Sequence, residues 1–154
     1  VDNDKIDILI IEDNRHDAEL ILEALEGLDI GDKVRAIHDG VEALDYFLGP
    51  EGSLNKMDFH LPKLILLDLK LPKVSGLEIL KRIKSDERTM HVPTVIFTSS
   101  SESQDRIESY KLGANSYVVK PMDADMFSRY VHDIGKYWLS MNTTIYNGGP
   151  ARPR

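Results

Sequence analysis

Glu12, Asp13, Asp68, Thr98 and Lys120 hold one place in the pattern of the chain: each stands where a short apolar run stops. Ile6-Asp7-Ile8-Leu9-Ile10-Ile11 runs into Glu12-Asp13, and Leu64-Ile65-Leu66-Leu67 into Asp68. Val92 to Phe97 runs into Thr98, and Ser116-Tyr117-Val118-Val119 into Lys120. Three carboxylates brought together would repel one another unless a cation sat among them, and hard oxygen ligands with room for water suit Mg2+. A lysine ammonium would balance the same cluster and could hold a phosphoryl oxygen, with the Thr98 hydroxyl donating to another. Asp68, flanked only by backbone and apolar side chains, is then a candidate nucleophile toward phosphorus. Mg2+ and Lys120 would neutralise the charge of the transferring group.

That chemistry requires the runs to end on one edge. Uninterrupted apolar runs of this length read as strands buried on both faces. Between them lie helical patterns. Ala18, Ile21, Leu22, Leu25 and Leu28 recur at helical spacing after a cap at Asp13 or Asn14, with Gly27 and Gly31 as the stop. Lys33 to His38 is a second strand, and Val41 to Leu48 a short helix with Val41, Leu44 and Leu48 on one side. Residues 49 to 62 form a long loop. A helix from Leu77 to about Lys84 buries Leu77, Leu80 and Ile83. The next, Ser103 to Leu112, is thin in apolar residues (Ile107, Tyr110, Leu112) and ends at Gly113. The last is capped by Asp123 and carries Phe127, Tyr130, Val131, Ile134, Trp138 and Met141. Strand and helix alternate five times, which predicts a doubly wound α/β domain: five parallel strands, five helices and right-handed crossovers. Its strands' carboxyl ends share one edge, where sites are built in such sheets.

Composition narrows the field. A chain of 154 residues suggests one domain, here taken as 1–141, with a disordered tail over 142–154. A net charge of -7 argues against nucleic acid as the main partner. The absence of cysteine excludes a disulfide framework or a thiolate site. No apolar run reaches the roughly 20 residues of a membrane span, and no signal peptide is visible, so the cytoplasm is the expected compartment. The start at Val1 rather than Met points to a trimmed N-terminus. His38 lacks a second His or Cys nearby and reads as a packing residue rather than a metal ligand.

With these residues in place, the chain resembles the response-regulator receiver domains of two-component signalling, similar to the chemotaxis regulators. The resemblance rests on Ile10-Ile11-Glu12-Asp13-Asn14, on Leu67-Asp68-Leu69-Lys70-Leu71-Pro72 with Gly76, on Phe97-Thr98-Ser99 and on Lys120-Pro121. It covers about residues 6 to 140. It implies the flavodoxin-like receiver fold, a phosphoacceptor at Asp68, and Mg2+ held by Asp13 and Asp68 with Glu12 assisting. It further implies a metal ligand in the Lys70 backbone carbonyl, switch residues in Thr98 and Tyr117, an assisting Lys120, and a cis Lys120–Pro121 bond.

Segments Pro72 to Lys84, Thr98 to Tyr110 and Tyr117 to Trp138 are also similar to single-domain regulators paired with bacterial phytochrome kinases. The resemblance thus implies a sensor histidine kinase, one of phytochrome type, and a downstream protein as partners. It also implies a homodimer through the face of helix 4, strand 5 and helix 5, with Tyr130, Tyr137, Trp138 and Met141 as candidate contacts. The expected function is that of a phosphoacceptor signalling protein which catalyses only its own phosphorylation and dephosphorylation. Two alternatives stand beside it. A receiver-like binding module would act without phosphate. A haloacid-dehalogenase-like phosphatase would need a second acid two residues after Asp68, where Lys70 stands.

Overall fold

The computed structural model describes residues 6–28, 34–49 and 60–145. Gly31, Lys33, most of the long loop and the tail from residue 146 lie outside them. Five strands, β1 (Ile8–Ile11), β2 (Val34–Ile37), β3 (Leu64–Leu67), β4 (Thr94–Thr98) and β5 (Ser116–Val119), form one sheet in the order β2-β1-β3-β4-β5. Every neighbouring pair is parallel. The helices are α1 (Arg15–Glu26), α2 (Gly40–Leu48), α3 (Gly76–Ser85), α4 (Ser103–Lys111) and α5 (Ala124–Lys136). A π-helical turn, Tyr137–Met141, extends α5.

The alternation of side chains along the strands divides the core into two. Leu9, Ile11, Ile65, Leu67 and Ile96 point to the face covered by α2 and α3, where they meet Phe47, Ile79, Leu80 and Ile83. Ile8, Ile10, Leu64, Leu66, Val95 and Phe97 point to the face covered by α1 and α5, where they meet Ile21, Leu25, Phe127 and Val131. The three inner strands are buried throughout, as their unbroken apolar runs require. Each such side chain contributes about 1.5–3 kcal/mol when taken fully from water.

Three helix faces differ from the sequence expectation. In α2 the buried residues are Gly40, Ala43 and Phe47, while Val41 is exposed and Leu44 and Leu48 are half-buried. The helix starts one residue earlier, on a cap in which Asp39 Oδ1 accepts from the Glu42 amide. Gly40 lets its backbone approach Val74 so closely that a Cβ would lie 2.4 Å from the Val74 carbonyl oxygen. In α4 Ile107 and Tyr110 are exposed, and Ser109 is the buried residue. In α5 Phe127, Val131 and Gly135 are buried, whereas Tyr130 and the following Met141 face solvent. Gly135 occupies a tight contact, where a Cβ would lie 2.7 Å from Leu28 and 2.8 Å from Leu25.

Among the described residues there is no cis peptide bond, so the Lys120–Pro121 bond is trans rather than cis. The trans form is the intrinsically favoured one even before proline. No helix among the described residues is long and apolar enough to cross a membrane.

Candidate functional site

Register places the acids. Ile11 is level with Leu67 across the β1–β3 pair, so Glu12 and Asp68 leave the sheet side by side. The Asp68 amide donates to Ile11 O at 3.0 Å, and the Glu12 amide to Ile37 O at 2.9 Å. Thr98 is level with Val119, and the Lys120 amide donates to Thr98 O at 2.7 Å. The carboxylates of Glu12, Asp13 and Asp68 have oxygens within 4.8 Å of one another. Glu12 is 1% exposed and Asp68 5%, with Asp13 more open.

The turn after β3 is built to leave Asp68 clear. Gly76 packs on it so tightly that a Cβ would sit 2.2 Å from the Asp68 carbonyl oxygen. Its amide donates to Leu69 O at 3.0 Å. Lys73 takes φ 69°, the left-handed conformation that costs a non-glycine residue strain. The Lys70 amide donates to Asp68 Oδ1 at 3.2 Å, which fixes the carboxylate plane.

Lys120 Nζ reaches into this cluster. It donates to Asp68 Oδ2 at 2.9 Å and to Asp17 Oδ2 at 2.8 Å. It also lies 2.7 Å from Glu12 Oε1, but off the line a hydrogen bond needs, so that this buried oxygen has no hydrogen-bond partner. Burial, reinforced by the Asp68 charge, pushes the Glu12 carboxyl up to about 8, although Lys120 works against it. For Lys120 burial favours the neutral amine, but the hydrogen bond it donates to Asp17, then the Glu12 carboxylate and the charge of Asp68, more than reverse this and raise its pKa. Three carboxylates with oxygens converging within 4.8 Å, balanced by the single ammonium of Lys120, fit a hard divalent cation such as Mg2+.

The second half of the site is a chain of hydrogen bonds. Thr98 is fully buried, and its Oγ1 accepts from the Ser100 amide at 3.4 Å. Ser100 O accepts from the Tyr117 hydroxyl at 2.9 Å. Ser100 Oγ donates to Asp105 Oδ2 in the first turn of α4. Tyr117 is half-buried against the core under α2 and α3. His38 Nδ1 lies 3.0 Å from Glu12 O, a packing role as expected.

The structure thus brings together Glu12, Asp13, Asp68 and Lys120, with Thr98 at the end of the neighbouring strand and bonded to the Ser100 amide. Sequence reasoning missed Asp17. Its signal was available: Asp17 is one helical turn after Asp13, on the face of α1 that turns to the strand ends.

These features have counterparts in known proteins. The sequence profile of the response regulator receiver domain matches residues 8–132. The chain belongs to this receiver family. It is 40% identical over 144 residues to the probable methanogenesis regulatory protein FilR2 of Methanothrix harundinacea, covering 94% of this chain and 88% of that protein. The phosphorylated cyanobacterial phytochrome response regulator RcpA superposes with a TM-score of 0.83 at 37% identity, over 92% of this chain and 99% of that one. The Mn2+-bound response regulator Rcp1 does so with a TM-score of 0.79 at 31% identity, over 89% of this chain and 96% of that one. This receiver therefore has the fold of the phytochrome-associated regulators, five parallel strands and five helices.

Proposed function

We propose that this receiver accepts a phosphoryl group from a sensor histidine kinase onto Asp68 and passes the change to a partner-binding face. The observation that carries the reading is the setting of Asp68: nearly buried, one oxygen held by Lys120 at 2.9 Å, and the Glu12 and Asp13 carboxylates within reach. Asp68 would attack the phosphorus of a phosphohistidine, forming the P–O bond as the P–N bond breaks, and the histidine leaves neutral after taking a proton. Asp13 and Asp68 would hold Mg2+, with Glu12 assisting and the Lys70 carbonyl as a neutral oxygen ligand. The bound ion supplies charge neutralisation on the transferring group. Lys120 donates to a phosphoryl oxygen, and the Thr98 hydroxyl turns from Ser100 to another.

Thr98 leaving Ser100 loosens the loop that holds Tyr117 and α4. The face of α4, β5 and α5 is the one that would respond. It exposes Ile107, Tyr110, Val119, Met126 and Tyr130, and suits a downstream protein or a second copy. A kinase of phytochrome type is the partner that the relationship to RcpA and Rcp1 supports.

Incubation with Mg2+ and acetyl phosphate, followed by intact mass, tests the chemistry. Wild type gains the mass of one phosphoryl group, and Asp68→Asn gains none while unfolding at a similar temperature. Full labelling of Asp68→Asn would remove the assignment. A phosphotransfer profile against phytochrome-type and other histidine kinases then tests the partner.

A further inference from the structure

Asp17 is a fourth acid at this edge, and the metal-and-acceptor scheme above gives it no task. It lies in the first turn of α1, where its amide is fixed by Asn14 Oδ1 at 2.9 Å. Its carboxylate bonds Lys120 Nζ at 2.8 Å, across 103 residues of sequence. The Lys120 side chain is 7% exposed and that of Asp17 22%. Asp17 stands outside the trio of Glu12, Asp13 and Asp68 whose oxygens converge. Among the groups that favour the Lys120 ammonium, its hydrogen bond is the largest.

We propose that Asp17 is a positioning residue for Lys120, holding the ammonium aimed at Asp68 while Asp68 and Glu12 turn their oxygens to metal and phosphoryl group. An ammonium has three N–H donors. Two are used on Asp17 and Asp68, and the third faces Glu12 off-axis. Once Mg2+ and a phosphoryl group draw on Glu12 and Asp68, Asp17 is the one carboxylate of the four with no competing call on it. Holding one donor there leaves the other two for phosphoryl oxygens. A free lysine chain would instead lose rotamer entropy each time it was placed.

This role rests on Asp68 being the acceptor, so the experiment separates the two. Acetyl phosphate and Mg2+ are offered to wild type, Asp17→Asn, Asp17→Ala, Asp17→Glu, Lys120→Ala and the Asp17→Ala/Lys120→Ala pair, with labelling read by intact mass. Asp17→Asn and Asp17→Ala lower the rate at saturating donor by roughly fivefold, the net worth of one hydrogen bond, while Mg2+ affinity stays within about twofold. Asp17→Glu recovers part of the loss. Asp17→Ala changes nothing further in the Lys120→Ala background, as a residue acting only through Lys120 must. In metal-free protein, the Lys120 ammonium gives a protected 1H–15N signal that broadens by solvent exchange in Asp17→Asn. Unchanged rates in both Asp17 variants, or losses that multiply with Lys120→Ala, overturn the role while leaving the acceptor in place. A wild type that takes no label, or labelling that survives Asp68→Asn, overturns the acceptor reading and this role with it.

Discussion

Glu12 shows how one buried side chain sets the terms of the site. Its Oε1 is buried, with the Lys120 ammonium 2.7 Å away but off the line of a good hydrogen bond. Burial and Asp68 push its carboxyl up to about 8, against 4.5 in the unfolded chain. The folded state therefore binds the extra proton between those values. The Glu12 contribution is fully present below pH 4.5 and is lost as pH rises through 8. With metal removed by chelator, wild type should lose thermal stability across that window relative to Glu12→Gln, whose side chain cannot titrate. Parallel curves for the two proteins would contradict the assignment. Asp13, the more open acid of the trio, has the simpler expectation. Asp13→Ala removes a charged oxygen ligand, so calorimetric Mg2+ affinity should fall about tenfold or more, or about 1.4 kcal/mol. An unchanged affinity would show that Asp13 does not hold the ion.

Among the elements α4 is the outlier. Its N-cap residue, Glu102, makes no side-chain capping bond, and Ser109 is its buried residue. What ties it down is Ser100, bonded to Thr98, Asp105 and Tyr117 at once. Neutral hydrogen bonds are worth about 1 kcal/mol and charge-assisted ones about 1.5–3. Moving the Thr98 hydroxyl therefore biases α4 by a few kcal/mol, short of the roughly 5.5 kcal/mol needed to invert a 1:99 equilibrium. Switching should be partial. Thr98→Ala should still accept phosphate at Asp68 but lose most of the hydrogen-exchange change that beryllofluoride brings to α4 and β5 in wild type. Equal changes in the two proteins would uncouple Thr98 from the helix. The thin face of α4 was legible in the sequence. The Ser100 hub was not, because each of its bonds joins residues whose closeness depends on how β4, α4 and β5 meet. The α2 face was misread for a related reason: Gly40 sets how close that helix approaches Val74, and no periodicity records it.

At the scale of the whole molecule, the parallel sheet and the edge carrying the site were readable because β1, β3 and β4 are buried on both faces and therefore uniformly apolar; the strand order was not. Asp17 could have been placed at that edge by its one-turn spacing after Asp13, but its bond to Lys120 could not, since the partner comes from the far end of the chain. Lys84 is another such long-range tie. Its ammonium donates to Met90 O at 3.0 Å, Val92 O at 2.8 Å and Asn115 Oδ1 at 3.0 Å, joining the end of α3 to the starts of β4 and β5. Burial lowers its pKa from 10.5 to about 8. Between those values the unfolded chain binds the proton that the folded one has shed, so stability should rise with pH from about 8 to 10.5. Urea midpoints of wild type should climb through that range relative to Lys84→Met. A common slope for the two would show that Lys84 keeps its proton on folding.

The light anchoring of α4 bears on how such a protein can diversify. Substitutions at exposed positions away from caps and networks usually shift stability by no more than about 0.5 kcal/mol. Ile107 and Tyr110 are such positions. Mutational drift on this helix leaves both halves of the core and the acid cluster untouched. On the proposed function, single substitutions on this helix would rewrite partner choice while the acid cluster that takes the phosphoryl group stays as it is.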